Sequence, residues 1–453
     1  MITPVLDWLA PKNDKTGMPQ GRTMKKILAA VAVGASLASP YIIGIKAEEH
    51  TQTLYQQISA NPAFEVELLE YNRGWINSDA TVKFTMPVTD DEGNVEMFNF
   101  EIEQIIQHGP VLWSTDGVGL GLLDSQFNAK LPAEFKEEII NIEQLQDDGM
   151  STIARTSFNG TTYSSTRIKP TTIKLDEANL EILPGLFHTT TDTQGHITGG
   201  GEWQGMKIVK GETVALVVGK MDIELNQTYI NGNMFAPMSL GIGTSKLSVT
   251  EFIVNGETPD ASMSIRNLHM ASDSKVNAGL LAGNLTVSAD QVALAFQQFT
   301  DFNYSMTMDN FNVDALSEIQ NLLVNLDPED PQQQQTLMVA MQQQLPKLLA
   351  DNPSIAIDKL GITTNEGDIV SDLLVTIDPQ KFDANNPMSM MFALQADAKG
   401  SAPSAFFTNL GMQENVDMLK EQGMLVQEEE TLLFNFSFAN GQALINGMPI
   451  PLG

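Results

Sequence analysis

The chain of 453 residues contains no cysteine. That excludes a disulfide framework, a thiolate nucleophile, Cys-ligated zinc and iron–sulfur clusters. It does not exclude secretion, because an oxidising compartment permits disulfides without requiring them. Histidine is scarce as well. His50, His108, His188, His196 and His269 are the five, and none lies in an HExxH or another close ligand pair, so neither a metal site nor a cofactor is expected. Basic residues number 25 against 56 acidic ones, a net charge of −31. This balance argues against nucleic acid as a partner, since phosphates require a basic surface, and it disfavours broad docking on anionic lipid. No GxSxG elbow is present. The GxG pair in Gly117–Leu123 lacks the third glycine and the Lys-Ser/Thr of a phosphate loop. No catalytic residue is assigned, and the chain is not expected to be an enzyme.

What is present begins with one long uncharged run. Lys25 and Lys26 precede nineteen uncharged residues, Ile27 to Ile45, and Lys46 closes them. Nineteen helical residues at about 1.5 Å each span roughly the 30 Å hydrocarbon core of a bilayer. The two lysines place the N-terminus in the cytoplasm and the bulk of the chain outside it. Ser36-Leu37-Ala38 resembles a signal-peptidase site, so cleavage after Ala38 is one outcome. Retention as an anchor is the other, and the apolar residues continuing past Pro40 favour it. Residues 1–23 have no periodicity and read as a leader, or as sequence ahead of a true start at Met24. The expected organisation is therefore a leader at 1–23, a signal-anchor helix at 24–49, and a β-rich domain at 50–453.

Strand-like alternation dominates the rest. It appears at Val66–Leu68 and Ala80–Phe84, interrupted at Tyr71–Trp75, where Gly74 fits a turn or bulge. It returns at Val95–Ile106 and through a long series from Thr152 to Asn312. Asn231-Gly232, Asn255-Gly256 and Asn440-Gly441 are turn dipeptides. A weak repeat aligns Ser262–Ala271 with Ser305–Asp314, and more loosely with Thr172–Ile182; each alternates, breaks at Asn and alternates again, as a bulged strand would. A short helix is expected within Pro132–Asp147, longer ones at 314–326 and 332–350, and a third helix or helix pair at 404–423. Leu337, Met338, Met341, Leu345, Leu348 and Leu349 form an apolar stripe on the second of the longer ones. The fold class is mainly β with α insertions (α+β). It is an elongated antiparallel sheet or sandwich of some fifteen strands, preceded by one N-terminal transmembrane helix.

Several stretches, in this order, resemble the YdgA-like bacterial proteins, a family classed as a domain of unknown function. They are the Met24-Lys25-Lys26 start, Tyr71-Asn72-Arg73-Gly74-Trp75-Ile76-Asn77-Ser78, Ile106-Gln107-His108-Gly109-Pro110, and Phe438–Gly447. The resemblance covers Met24 to Leu452. It implies a Gram-negative inner-membrane protein with its bulk in the periplasm, and self-association as a homodimer. It implies no catalytic residue. Arg73, Gly74, Trp75, His108, Gly109 and Pro110 are family-like positions without a role.

Two readings of function follow. The first is a structural or interaction module that handles a lipid or other apolar ligand, with Met263, Met306 and Phe311 lining an apolar face. Methionine suits both irregular cores and varied apolar ligands. The second is an envelope hydrolase, which requires a pocket joining His108 to a carboxylate and a hydroxyl.

Overall fold

The structure is a computed structural model that describes residues 21–59, 65–89, 95–114, 117–130, 150–174, 178–231, 239–256, 258, 261–294, 297–324 and 331–450; for residues 21–38 the description covers the helical backbone alone. The expected leader lies almost wholly outside the described residues, and the expected helix within Pro132–Asp147 lies wholly outside them.

Helix α1 (Gly21–Ile58) leads into β1 (Glu65–Arg73), β2 (Asn77–Thr89) and β3 (Val95–His108). A small hairpin, β4 (Val111–Ser114) and β5 (Gly117–Leu120), interrupts the meander before β6 (Leu123–Lys130), β7 (Met150–Thr156) and β8 (Thr162–Ile168). Short strands follow: β9 (Thr171–Lys174), β10 (Asn179–Ile182), β11 (Gly185–Thr191), β12 (His196–Trp203), β13 (Met206–Lys210) and β14 (Thr213–Val218). Long strands come next: β15 (Met221–Asn231), β16 (Leu240–Val254), β17 (Met263–Asn277), β18 (Leu280–Leu294) and β19 (Gln297–Asn312). Helices α2 (Val313–Val324) and α3 (Pro331–Leu348) precede β20 (Ser354–Thr364) and β21 (Gly367–Ile377). The chain closes with α4 (Met390–Ala393), β22 (Leu394–Pro403), α5 (Ser404–Asn409), α6 (Gln413–Glu421), β23 (Val426–Glu428), β24 (Thr431–Ala439), β25 (Gln442–Ile445) and β26 (Met448–Ile450).

Among the described residues, 24 strands join one antiparallel sheet, and β4 with β5 forms a second. The main ladder runs β1–β2–β3–β6–β7–β8–β11–β12–β15–β16 and on through β17 to β22, then β24–β25–β26. At β16 the sheet forks. Leu240–Val249 pairs with β15, while Phe252–Val254 pairs with β14, which continues to β13, β10 and β9. The expected meander is present, with more strands than the fifteen anticipated.

The breaks predicted at Asn are also present, as a bulge at Asn310 and as a bend with no inserted residue at Asn267. Asn267 and Asn310, the equivalent breaks of the repeat, have left-handed backbones with φ 50 and 63, a region that Asn tolerates better than most residues. Asp301, on β19, joins them at φ 53. The Asn267 amide donates to Asp290 Oδ2 at 2.8 Å across the neighbouring strand. At this row the apolar parity switches, from Leu268 and Met270 on one side to Met263 and Ile265 on the other. The third copy behaves differently: Thr171–Lys174 and Asn179–Ile182 pair as the β9–β10 hairpin.

The sheet does not close into a sandwich. On β15 to β19 only Val249, Leu281 and Ala289 are buried among the described residues, and the other apolar positions of the inner face are half-buried. The helices near 314–326 and 332–350 appear as expected. The third divides into α5 and α6 around Gly411, whose φ of 72 ends the first segment. The predicted stripe along α3 is present at Leu337, Met341, Leu345, Leu348 and Leu349; Met338 alone departs from it, at 73% exposed. Among the described residues no helix is long and apolar enough to cross a membrane. The side chains of residues 21–38, most of the run 27–45, lie outside that description.

Candidate functional site

The family-like positions converge on the helix. The described part of α1 buries Gly44, Ala47, Thr51 and Tyr55. These are spaced three or four residues apart, one face of a helix. Tyr55 packs with Val66 and Val82 of β1 and β2, flanked by Ile58, Leu68 and Phe84. Its hydroxyl donates to Gln104 Oε1 at 2.9 Å, and Gln104 Nε2 donates to Ser125 Oγ at 3.2 Å. Burial therefore holds the Tyr55 phenol far above its ordinary pKa. The segment after the apolar run thus lies against the sheet.

The β1–β2 corner grips the other end of this contact. Gly74 N donates to Asn77 O at 2.9 Å, which closes the turn. Arg73 pairs with Glu48 of α1 at 2.8 Å and lies 5.4 Å from the ring centroid of Tyr41. Tyr41 in turn meets Trp75, with centroids 5.4 Å apart. The aromatic partner of the arginine is thus on the helix.

His108 ends β3 and is 1% exposed, beside Ser78 at 0%. Its Nε2 lies 2.9 Å from Ser78 Oγ, and its Nδ1 faces the Trp75 carbonyl at 3.4 Å. Desolvation lowers its pKa from the ordinary value, with Arg73 acting in the same direction and the carbonyls of Trp75 and Pro40 opposing. A neutral ring with hydrogen on Nδ1 accepts from the Ser78 hydroxyl. The arrangement resembles a Ser–His pair, but a carbonyl stands where a catalytic dyad would place an orienting carboxylate. Gly44 of α1 covers the ring. The Tyr71 hydroxyl is buried beside Ser78, outside regular hydrogen-bond geometry. Gly109 and Pro110, joined by a cis peptide, lead into the β4–β5 hairpin, with Gly109 N donating to Leu122 O at 2.7 Å.

The face of the sheet that seats α1 continues far beyond it. Residues opposite one another in adjacent antiparallel strands share a face. One row follows Gly199, Leu225, Ser245, Ser272, Leu285, Met306, Ile357, Leu373, Ala398, Phe436 and Ile445. A second runs Phe187, Gly201, Ile223, Leu247, Met270, Val287 and Tyr304. Among the described residues of the main ladder from β6 to β26, on the α1 side of the bend row, no Asp, Glu, Lys, Arg or His occupies this face. Nearer α1 it carries hydroxyls, such as Thr152 with Thr166 at 3.0 Å and Thr156 with Thr162 at 2.9 Å. The charges stand on the opposite face, where Lys246 bridges Glu224 at 2.8 Å and Arg155 bridges the buried Asp124 at 2.7 Å.

Of the three predicted lining residues, Met306 and Phe311 share this face, opposite Leu285 and Leu281. Met263 lies beyond the bend, opposite Val254 and Leu294, and is not brought to them. All three are half-buried. Sequence reading missed Gly44, Ser78 and Tyr41; the one signal was a glycine and an aromatic within the last turns of the apolar run. Among the described residues no group of three or more His, Asp or Glu could hold a metal ion.

Neither a curated protein nor a solved structure matches the chain. A family model described as "Bacterial protein of unknown function (DUF945)" matches residues 24–453, which include the gripped helix, the corner and the whole sheet. The chain therefore belongs to the DUF945 family of bacterial proteins.

Proposed function

We propose that this protein is a membrane-anchored, non-catalytic envelope protein that carries an apolar ligand, an acyl chain, along the uncharged face of its sheet. The observation that carries the reading is that, among the described residues of the main ladder from β6 to β26, no charged side chain stands on that face, in a chain with 81 charged side chains, 56 acidic and 25 basic. Half-burial of its apolar residues gives a second reason. At about 25 cal/mol per Å², covering a few hundred Å² of such surface is worth several kcal/mol, and an acyl chain supplies that cover without demanding a charged partner. The run 27–45 would anchor the chain in the inner membrane with its bulk in the periplasm, in keeping with the likeness to YdgA-like proteins. The hydrolase reading has less support, because Ser78 and His108 are sealed under α1 and lack a carboxylate.

The test is mass spectrometry of lipids that co-purify with the full chain in mild detergent, alongside Met306→Lys. Stoichiometric acyl lipid on the parent chain, lost from a folded Met306→Lys variant, supports the reading. A folded parent chain that never carries lipid refutes it. A homodimer that covers the face instead would appear as a change of mass in solution without lipid, and would replace it.

A further inference from the structure

One end of the sheet displays large apolar side chains on three separate elements. Tyr41 and Ile42 of α1 are exposed, as is Trp75 in the β1–β2 corner. On the β4–β5 hairpin, Trp113, Val118 and Leu120 are 54%, 70% and 68% exposed. Hydrogen bonds fix these elements at one end. His108 N donates to Ile76 O at 2.7 Å, tying β3 to the corner, and Trp113 N donates to Gln107 Oε1 at 2.7 Å, tying the hairpin to β3. The direction of α1 is equally fixed. Gly44 meets His108 at this end, and Tyr55 meets Val66 and Val82 farther along the sheet. The residues before Gly44, which belong to the apolar run, therefore leave the sheet beside the hairpin.

We propose that this end rests on the bilayer, with the β4–β5 hairpin and Trp75 set into the interfacial layer next to the emerging helix. The inference rests on the anchor reading of 27–45. Its occupant follows from continuity. The exposed patch adjoins the apolar run of the same helix, and tyrosine and tryptophan with aliphatic neighbours are the side chains that favour the membrane–water boundary. In water, so concentrated a patch would be an association hazard. The uncharged face of β6 to β8 begins at this same end, with Leu123, Thr156 and Thr162.

Because the chain has no cysteine, single labels are clean. Val118→Cys and, as a distant exposed control, Lys275→Cys would be nitroxide-labelled in the full chain and reconstituted in phosphatidylcholine vesicles. Collision with oxygen is then compared with collision with a water-soluble nickel chelate. The expected result is oxygen dominance at 118 and nickel dominance at 275. If the chain does not sediment with the vesicles, the anchor reading fails and this inference with it. If it sediments but both labels are nickel-accessible, only the interfacial seat is overturned. Spin–spin broadening at 118 that scales with the labelled fraction would assign the patch to a second copy and overturn it as well.

Discussion

The ring of His108 lies so close to the backbone of Gly44 that a methyl group built on that glycine would sit 2.5 Å from Cε1. Helix and sheet meet here through an absent side chain. The ring is buried and the strand holding it is paired on both edges, so it has little room to yield. Gly44→Ala, which in an exposed helix would gain about 1 kcal/mol in propensity, should instead lose about 1–3 kcal/mol through overpacking. Chemical denaturation of the two proteins checks the sign. The double variant with His108→Ala should recover part of the loss, as coupled neighbours do.

His108 also gives the junction a pH dependence. Its folded pKa is lowered by burial, so between that value and about 6.5 the unfolded chain binds more protons. The contribution of the neutral ring is complete above about 6.5 and declines as pH falls through this window. Comparing the parent chain with His108→Gln between pH 7.5 and 5 isolates it from the carboxylates. The stability difference between the two should move against the parent as pH falls, and a constant difference would refute the assignment.

Under α1, Val82 is fully buried beside Tyr55 and Val66. Val82→Ala should cost about 1–3 kcal/mol. Arg73→Ala removes a half-exposed ion pair with Glu48 and should cost no more than about 1 kcal/mol. Thermal unfolding of both variants tests the order; a larger effect at Arg73 would mean that the ion pair, and not apolar packing, holds the helix.

At the bend row, Asn267→Gly should cost no more than about 1 kcal/mol, because glycine adopts φ 50 freely and only the exposed contact with Asp290 is lost. Asn267→Val places a β-branched residue in the left-handed region and loses the contact with Asp290, for about 1–3 kcal/mol. Equal stabilities would show that the bend is set elsewhere in the row.

Met306 distinguishes an open face from a closed one. With Met306 half-buried, a lysine there can extend its ammonium to water, and Met306→Lys should shift the midpoint by no more than about 1 kcal/mol. Ile106→Lys, at a position with no exposure, should prevent folding because the charge has no partner. Circular dichroism of the two variants reads the contrast.

Local chemistry determined much of this protein. Alternation wrote the strands, Asn267 and Asn310 wrote the left-handed breaks in them, and the lysine-flanked run wrote one helix. Each of these signals depends on neighbours a few residues away, which is why the order of elements was legible. The number of strands in one sheet, the fork at β16, and the openness of the inner face were not, since pairing joins residues such as Leu216 and Val254 across long separations. Alternation reads the same for a strand facing a second layer as for one facing a ligand. The motif positions Arg73, Trp75 and His108 were visible as a set, but their shared purpose was hidden. It appears only when α1 is laid across β1–β3 and brings Gly44, Tyr41 and Glu48 to them, because packing of a helix on a sheet is decided by shape at a distance and not by the sequence of either element alone.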